Sequence, residues 1–363
     1  MNEIRQDPSP RQDQGVGSHY GIAEEALTEP IDVRPYDNRQ PSEAFLEDMF
    51  NFGVVAHAIA AADQLGLFQH LATGQQVRRE DLQRVTATPY LLPELLKVLE
   101  FARIVETRGD LVRVGRQFES ALTYRSFFTW LFGGCGRTLA AAGGDDRHDI
   151  PLDVHGRDRA LVGLACGQFG AEHIDPYLLE IPELRDGRVI ADLGCGDGSR
   201  AARMVEHLGV RVIGIDISGA ALARARQMVS DRRPLDSAIS LIQADVRSLV
   251  TPRQEFRTVE ALVVALLGHD LWPFEECVRT LDNWRTAFPN AHTLVMCETV
   301  SAESFSGMGI PSLGYEYVHG AMAQRIPSLA EWREAFRQSD WALAGENRLE
   351  IPANTIVFVC HPG

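Results

Sequence analysis

The residues best placed to do chemistry begin at a glycine-rich loop in the second half of the chain. An apolar run over 189–193 leads into Gly194, Gly196 and Gly198, and a helical segment follows. Glycines at this spacing let the backbone turn sharply and let a ligand lie against it, while the helix offers unpaired N–H groups. Asp192, just before the loop, would repel a pyrophosphate, so the loop favours a ligand that carries a cationic amino group.

Two more acidic residues stand at the ends of the next two predicted strands. Asp216, followed by Ile217, is placed to accept hydrogen bonds from both hydroxyls of a ribose. Asp245, followed by Val246, can accept one from an adenine amino group. A single strand-end Asp is more typical of a helix N-cap. Taken together and in order, these features resemble the S-adenosylmethionine (SAM) site of class I methyltransferases.

A second group of polar residues follows the fourth predicted strand, at His269 and Asp270. Ligands of open α/β sheets bind at the carboxyl ends of the strands, so His269 lies next to the predicted cofactor site. A lone strand-end histidine is more often structural, but this position favours a functional role. One interpretation is a general base for a transferase reaction.

Alternating strands and helices position these groups. Strands are predicted at 188–193, 210–215, 240–243, 260–266, 293–297 and 354–361, with helices at 199–208, 220–230, 274–288 and 329–339. This alternation indicates an α/β fold with a doubly wound, Rossmann-like parallel sheet.

The first part of the chain has a different organisation. An apolar stripe over 45–65, helices at 79–85 and 89–102 and a hairpin at 104–114 predict a winged-helix-like domain. We expect four parts: a loosely docked tail (1–40), a winged-helix-like dimerisation domain (41–117), a helical linker that helps form the substrate pocket (118–180) and a SAM-binding catalytic domain (181–363).

Composition narrows the function classes. The formal net charge of −15 argues against a nucleic-acid surface, because phosphate binding needs basic patches. Lys97 is the one lysine, and it lies in a helical pattern, so a Schiff-base route is not expected. The six cysteines form no CxxC pair, and neither a signal peptide nor an 18-residue apolar stretch occurs. We therefore expect reduced thiols, no membrane span and a cytoplasmic location.

The chain as a whole resembles small-molecule O-methyltransferases, and more specifically the α-keto acid C-methyltransferases that β-methylate 2-oxo acids for nonribosomal peptide antibiotics. The motifs that carry the second resemblance lie at 268–273, 277–281, 287–290, 313–319 and 327–332, with further matches at Trp130 and 175–176. It covers about residues 42–363 and implies a homodimer.

This resemblance implies a mechanism. Its phenylpyruvate member holds a non-haem iron on two histidines, and the matching positions here are His269 and His319; zinc or another divalent metal is the alternative. Such a metal would chelate a bidentate 2-oxo acid and stabilise its enolate. Asp270 would support the metal site or accept a proton, Arg147 would meet the substrate carboxylate, and Trp130 is a further catalytic candidate.

The substrate within this class stays open. Overall similarity favours 2-ketoarginine (5-guanidino-2-oxopentanoate), whose guanidinium needs a carboxylate or an aromatic plane. The candidate carboxylates are Asp145, Asp146, Glu172 and Glu316. Phenylpyruvate and branched-chain 2-oxo acids remain alternatives. So do an O-methyltransferase with His269 as base and, against the acidic charge, a winged-helix regulator that binds SAM as a ligand.

Overall fold

The structure is a computed structural model, and it describes residues 43–74, 76–83, 90–142, 156–185, 188–302 and 309–363. The chain divides into two compact units, 1–40 and 41–363, and every described residue belongs to the second. The predicted tail at 1–40, Arg147 and the acidic pair at 145–146 lie outside the described residues.

A small helical region with its own core opens the described chain. Its helices and strands are α1 (Glu43–Gln64), α2 (Leu67–Gly74), β1 (Gln76–Arg78), α3 (Arg79–Gln83), α4 (Leu91–Phe101), β2 (Val105–Arg108) and β3 (Leu111–Val114). The predicted hairpin at 104–114 is confirmed, with Arg108 opposite Leu111 across the turn. Strand β1, which was not predicted, pairs with β3 and completes a three-stranded antiparallel sheet.

The middle segment is helical, as predicted, but two of its helices have π geometry. It comprises α5 (Phe118–Phe128), a π-helix (Thr129–Gly134), α6 (Gly136–Ala142), α7 (Arg159–Phe169), a second π-helix (Gly170–Ile174) and α8 (Asp175–Leu178). The first π-helix is held to α1 by Thr129, whose hydroxyl donates to buried Asp63 at 2.7 Å. Such π turns occur often at functional sites.

A seven-stranded sheet forms the larger part of the molecule. Its elements are β4 (Val189–Leu193), α9 (Ser199–Leu208), β5 (Arg211–Asp216), α10 (Gly219–Asp231), α11 (Arg233–Asp236), β6 (Ile239–Gln243), β7 (Ala261–Ala265), α12 (Phe274–Ala287), β8 (Thr293–Thr299), α13 (Ser312–Ala321), α14 (Leu329–Gln338), β9 (Trp341–Arg348) and β10 (Thr355–Pro362). The strand order is β6-β5-β4-β7-β8-β10-β9.

The predicted doubly wound sheet is confirmed, but one of its edges is antiparallel. Strands β4 to β8 pair in parallel, but β10 runs antiparallel to β8, and β9 runs antiparallel to β10. Strand β9 was not predicted because, apart from Trp341, its residues are only partly buried or exposed. An edge strand with one solvated face lacks the continuous apolar pattern of the central strands.

Helices cover both faces of this sheet, and successive strand residues alternate between two apolar cores. One core contains residues of α12 and α14, and the other contains residues of α7, α9 and α10. Side chains of parallel strands are buried on both faces, so β4, β7 and β8 consist entirely of buried residues. All six cysteines are free thiols, as expected.

Helix α1 exposes apolar side chains over its first half. Phe50 is 74% exposed and Phe52 56% exposed, whereas Ala62 near its end is fully buried. By length and composition alone, Phe45–Gln64 could cross a membrane, which the absence of an 18-residue apolar run had not indicated. Because α1 also contributes Val55, Ile59 and Ala62 to the core of the helical region, this is weak support for a span.

Candidate active site

The glycine loop after β4 has a backbone conformation that glycine adopts easily and most other residues do not. Gly194, Gly196 and Gly198 have φ of 80°, 57° and 79°, in the left-handed region that favours glycine. A Cβ at Gly194 would lie 2.8 Å from Leu267, so a side chain there would clash. The Gly196 N–H donates to Asp216 at 2.9 Å, which ties the loop to the end of β5.

Asp192 is the most unusual group beside this loop. Its side chain is fully buried, and neither carboxylate oxygen has a hydrogen bond in the described structure. Burial raises the pKa of Asp192 to about 6, against the opposing charge of Arg200. A buried carboxylate without a hydrogen bond is costly. A cationic amino group would satisfy it, so the residues fit the methionine end of SAM.

The other predicted cofactor residues lie along the same edge of the sheet. Asp216 also accepts from the Ser218 N–H at 2.7 Å, and Ile217 is exposed. Asp245 forms an ion pair with Arg247 at 2.7 Å, and the hydrogen bond from Arg247 lowers its pKa. The carboxylate predicted for an adenine amino group is thus already engaged by Arg247, while Val246 is buried behind it.

The raised pKa of Asp192 predicts that cofactor binding weakens in acid. Only the ionised carboxylate attracts an ammonium group, and the pKa of about 6 lies above its ordinary value of 3.8. Affinity for S-adenosylhomocysteine (SAH) should therefore fall about tenfold between about pH 7 and about pH 5. Isothermal titration calorimetry against pH measures this, and Asp192→Asn should remove the dependence. The contribution of Asp192 to the free energy of unfolding depends on pH in the opposite way. Because its pKa is raised in the folded state, the protonated carboxyl group favours folding, and this contribution falls as the pH rises through this range.

His269 lies in a short 3-10 turn, Gly268–Leu271, directly after β7. Its Nδ1 is 3.1 Å from Glu298 Oε1 and 3.1 Å from the Tyr315 hydroxyl. Burial acts to lower the pKa of His269, but the charge of Glu298 and its hydrogen bond outweigh burial and raise it. With Nδ1–H directed at the carboxylate, Nε2 is the ring nitrogen left for a ligand or proton.

His319 approaches the same point from α13. Its Nδ1 is 2.7 Å from the Tyr315 carbonyl oxygen, one helical turn earlier. Burial, then the nearby His269, lower the pKa of His319 to about 3, so its ring is neutral near pH 7. The two imidazole rings are 4.7 Å apart and almost perpendicular. The fold therefore brings together two histidines 50 residues apart in the sequence.

The histidines line a pocket of about 110 Å³. Trp130 stacks against Tyr315 at 5.7 Å and against His319 at 6.4 Å, and the rings of Phe127 and Phe169 stack at 5.0 Å. The full lining consists of Phe127, Trp130, Arg157, Val162, Cys166, Phe169, Leu266, His269, Asp270, Thr299, Pro311, Tyr315, His319 and Pro352. Flat apolar surfaces thus surround the two imidazoles.

Arg157 brings a positive charge into this pocket. Its Nε is buried without a hydrogen-bond partner in the described structure. It is suited to a carboxylate, since guanidinium binds that group through paired N–H donors. Arg147, which was predicted to meet the substrate carboxylate, lies outside the described residues, and no sequence motif marks Arg157.

The predicted polar candidates are not equally available for substrate. Asp270 lines the pocket, and its Oδ1 accepts from Gln324 at 2.7 Å. Glu172 is paired with Arg125 at 2.6 Å, and Glu316 accepts from the Ala302 N–H at 2.8 Å. Neither Glu172 nor Glu316 belongs to the pocket lining, whereas Asp270, which was not among the predicted guanidinium partners, does.

The histidine pair has the surroundings that metal-binding histidines require. Such histidines donate their second ring N–H to a carboxylate or a carbonyl, as His269 can to Glu298 and His319 can to Tyr315. The described residues contain no cluster of three or more His, Cys, Asp or Glu that could hold a metal. A metal held by His269 and His319 would therefore have no third ligand among the described His, Cys, Asp and Glu residues.

Comparisons with known proteins find similarity to methyltransferases. The family model described as "Methyltransferase domain" matches residues 190–284. The chain is 29% identical over 334 residues to Methyltransferase ungE' of Aspergillus campestris, covering 86% of this chain and 95% of the relative. It is 28% identical over 324 residues to the Indolepyruvate C-methyltransferase of Streptomyces griseus, covering 86% of this chain and 93% of that one.

Solved structures of methyltransferases share the fold. Human N-acetylserotonin methyltransferase in complex with SAM aligns with a TM-score of 0.64 and 16% identity over 91% of this chain and all of that one. CalO1, a methyltransferase in calicheamicin biosynthesis with SAH bound, aligns at 0.62 and 19%, with the same coverage. The fold is that of a class I SAM methyltransferase preceded by a helical region. This chain is a SAM-dependent methyltransferase.

Proposed function

We propose that this methyltransferase transfers the methyl group of SAM to the β-carbon of a 2-oxo acid. The observation that carries the proposal is the pair His269 and His319, 4.7 Å apart in an aromatic pocket that also contains Arg157. A 2-oxo acid presents a carboxylate and a ketone on adjacent carbons. The similarity to an Indolepyruvate C-methyltransferase supports the same substrate class.

The reaction needs an activated carbon. A C–H bond beside a ketone becomes nucleophilic only when a proton leaves and an enolate forms. We propose that the Nε2 atoms of His269 and His319 hold a divalent metal, iron first and zinc second. When bound, it would supply a Lewis acid for the carboxylate and ketone oxygens and stabilise the enolate charge.

The protein's own residues have separate tasks in this proposal. Arg157 binds the substrate carboxylate, and the aromatic rings of the pocket exclude water and orient the side chain. Asp270 accepts the proton that leaves the β-carbon. The new C–C bond then forms between the β-carbon and the methyl carbon, while the electron pair of the S–CH3 bond stays on sulfur. The role of Arg147 stays a prediction.

The pocket favours a substrate with a planar side chain. The rings of Phe127, Trp130 and Phe169 can stack on either a guanidinium or an aromatic ring. We place 2-ketoarginine first, giving 5-guanidino-3-methyl-2-oxopentanoate, because its guanidinium can stack on these rings. An aromatic 2-oxo acid, such as indolepyruvate or phenylpyruvate, is the second candidate, because most of the lining is apolar. Branched-chain 2-oxo acids, which have no planar side chain, rank below both.

A panel of 2-oxo acids tests the proposal. The purified protein is incubated with SAM and each acid, with and without added Fe²⁺ or Zn²⁺, and products are examined by mass spectrometry for the addition of CH2. We expect 2-ketoarginine or an aromatic 2-oxo acid to be methylated, and we expect chelation to stop the reaction. Full activity in a metal-stripped sample would contradict the metal part, leaving His269 as a general base.

An O-methyltransferase that uses His269 as its base is the alternative function. The hydrogen bond from Nδ1 to Glu298 leaves Nε2 to take a hydroxyl proton, and the structural neighbours include a putative O-methyltransferase. This alternative predicts methylation of hydroxyl compounds without metal and no product from 2-oxo acids. The same assay, extended to phenols, separates the two functions.

We also propose that the chain is a homodimer through the exposed half of α1, within a dimerisation domain at 41–117. The linker at 118–180 and the catalytic domain at 181–363 complete the proposed organisation. An exposed apolar face of this kind is typical of a protein interface.

Phe50→Asp is expected to convert the dimer into a monomer, because Phe50 is 74% exposed and a charge there could not be buried against a partner. Light scattering after gel filtration should give twice the chain mass of 40.2 kDa for the natural protein. Val250→Asp, at another exposed apolar residue, is the control and should leave the dimer intact. A monomeric natural protein would contradict the proposal.

A further inference from the structure

A cluster of buried charges lies beside the glycine loop. Asp192 and Asp175 have side chains that are 0% and 1% exposed, and Arg200, the second residue of α9, lies between them at 14%. Arg200 Nε donates to Asp175 Oδ1 at 2.8 Å, while its Nη1 is 3.6 Å from Asp192 Oδ1. Arg200 is thus hydrogen-bonded to Asp175, whereas its ion pair with Asp192 is longer than a hydrogen bond.

The Asp192 side of this cluster lies next to the predicted cofactor site. A separation of 3.6 Å is too long for a hydrogen bond, so Arg200 and Asp192 balance each other's charge without satisfying each other's bonding capacity. Neither oxygen of Asp192 has a hydrogen-bond partner in the described structure. An Asp and an Arg a few ångströms apart present opposite charges at the spacing of an α-amino acid's ammonium and carboxylate.

We propose that Arg200 binds the carboxylate of the methionine end of SAM, beside the ammonium group that Asp192 receives. Asp175 positions Arg200 by holding its Nε, so that the Nη groups are presented to the ligand. The pair then recognises the complete amino-acid zwitterion. This inference rests on SAM binding and is independent of the 2-oxo acid substrate.

Arg203 provides a matched control on the same helix. It bonds the other oxygen of Asp175, from Nε at 2.7 Å, and no ion pair with Asp192 joins it in the described part of the chain. Replacing Arg203 therefore disturbs the same buried carboxylate and the same helix without removing the proposed ligand contact.

The experiment compares SAM with decarboxylated SAM, which keeps the ammonium and the sulfonium but lacks the carboxylate. Calorimetry gives the ratio of the affinity for SAM to the affinity for decarboxylated SAM in the natural protein, in Arg200→Met and in Arg203→Met. Because hydrogen bonds to charged groups are strong, we expect Arg200→Met to lower the ratio on the order of 10- to 100-fold. Arg203→Met should leave the ratio unchanged. Any general effect of either substitution on Asp192 acts on both ligands and cancels in the ratio.

Two outcomes would overturn the inference: an unchanged ratio in Arg200→Met, or an equal loss in Arg203→Met. Arg200→Lys is made alongside, because it keeps the charge beside Asp175 if the Met variant fails to fold. The Lys variant loses the planar, paired donors, so its ratio should also fall, though less. A Lys variant with the natural ratio would count against the proposal.

Discussion

Replacing His319 with alanine is expected to lower kcat/KM for methyl transfer about a thousandfold, through loss of metal and of charge stabilisation at the ketone oxygen. The His319 ring is buried, neutral near pH 7 and 4.7 Å from His269, and its removal leaves His269 as the one imidazole in the described pocket lining. Steady-state kinetics with the best 2-oxo acid of the panel measure the loss. Affinity for SAH, measured by calorimetry, should not change, because the glycine loop is a separate part of the site.

Two further variants separate chemistry from folding in this prediction. His319→Gln keeps a polar side chain in the cavity and should be as inactive as the alanine variant. His361→Ala removes a half-buried histidine whose Nδ1 is 3.1 Å from the His292 carbonyl oxygen, at the edge of the sheet opposite the site, and this variant should be fully active. A His319→Ala protein that binds SAH and turns over at the natural rate would exclude His319 from the reaction.

The second large effect is expected at Glu298, a fully buried carboxylate on β8. Its Oε1 is 3.1 Å from His269 Nδ1, and its Oε2 accepts from the His269 backbone N–H at 3.2 Å. Glu298→Gln keeps the shape but removes the charge that fixes the tautomer of His269. Since such supporting groups are typically worth 10- to 100-fold, kcat/KM should fall by up to about a hundredfold.

The metal content of the protein provides a second test of the Glu298 prediction. The bound metal per chain, measured by atomic absorption after equilibration at limiting Fe²⁺ or Zn²⁺, should fall with kcat/KM in Glu298→Gln. Thr293→Val, at another buried polar residue of the same strand, is the control and should keep both. Natural activity in Glu298→Gln would show that His269 needs no orienting carboxylate.

Local patterns were enough to predict the part of the site that is continuous in sequence. The strand, glycine loop and helix at 189–208 follow directly from an apolar run, left-handed glycines and a helical pattern, and Ser199–Leu208 is a helix as predicted. His269 was predicted because it follows a strand that ends at the same edge of the sheet as the glycine loop. These features depend on neighbours within a few residues, which sequence reasoning handles well.

Groups that meet only through strand pairing were missed. Glu298 lies in a buried strand, and its contact with His269 depends on the pairing of β7 with β8, which sets Ala265 opposite Cys297.

Tyr315 could have been predicted, since it precedes His319 by one helical turn and both side chains then lie on the same face of the helix. Arg157 had no signal, because a single arginine near a helix start is typical of a surface.

The reaction that we propose for the histidine pair is methyl transfer to the β-carbon of a 2-oxo acid. The protein is incubated with the best 2-oxo acid and with SAM that carries a ¹³C-labelled methyl group, and the product is examined by NMR. We expect the labelled methyl carbon to couple to the remaining β-hydrogen, and we expect that hydrogen to split the methyl proton signal. A label attached to oxygen or nitrogen, or no labelled product from any 2-oxo acid in the presence of metal, would exclude this reaction.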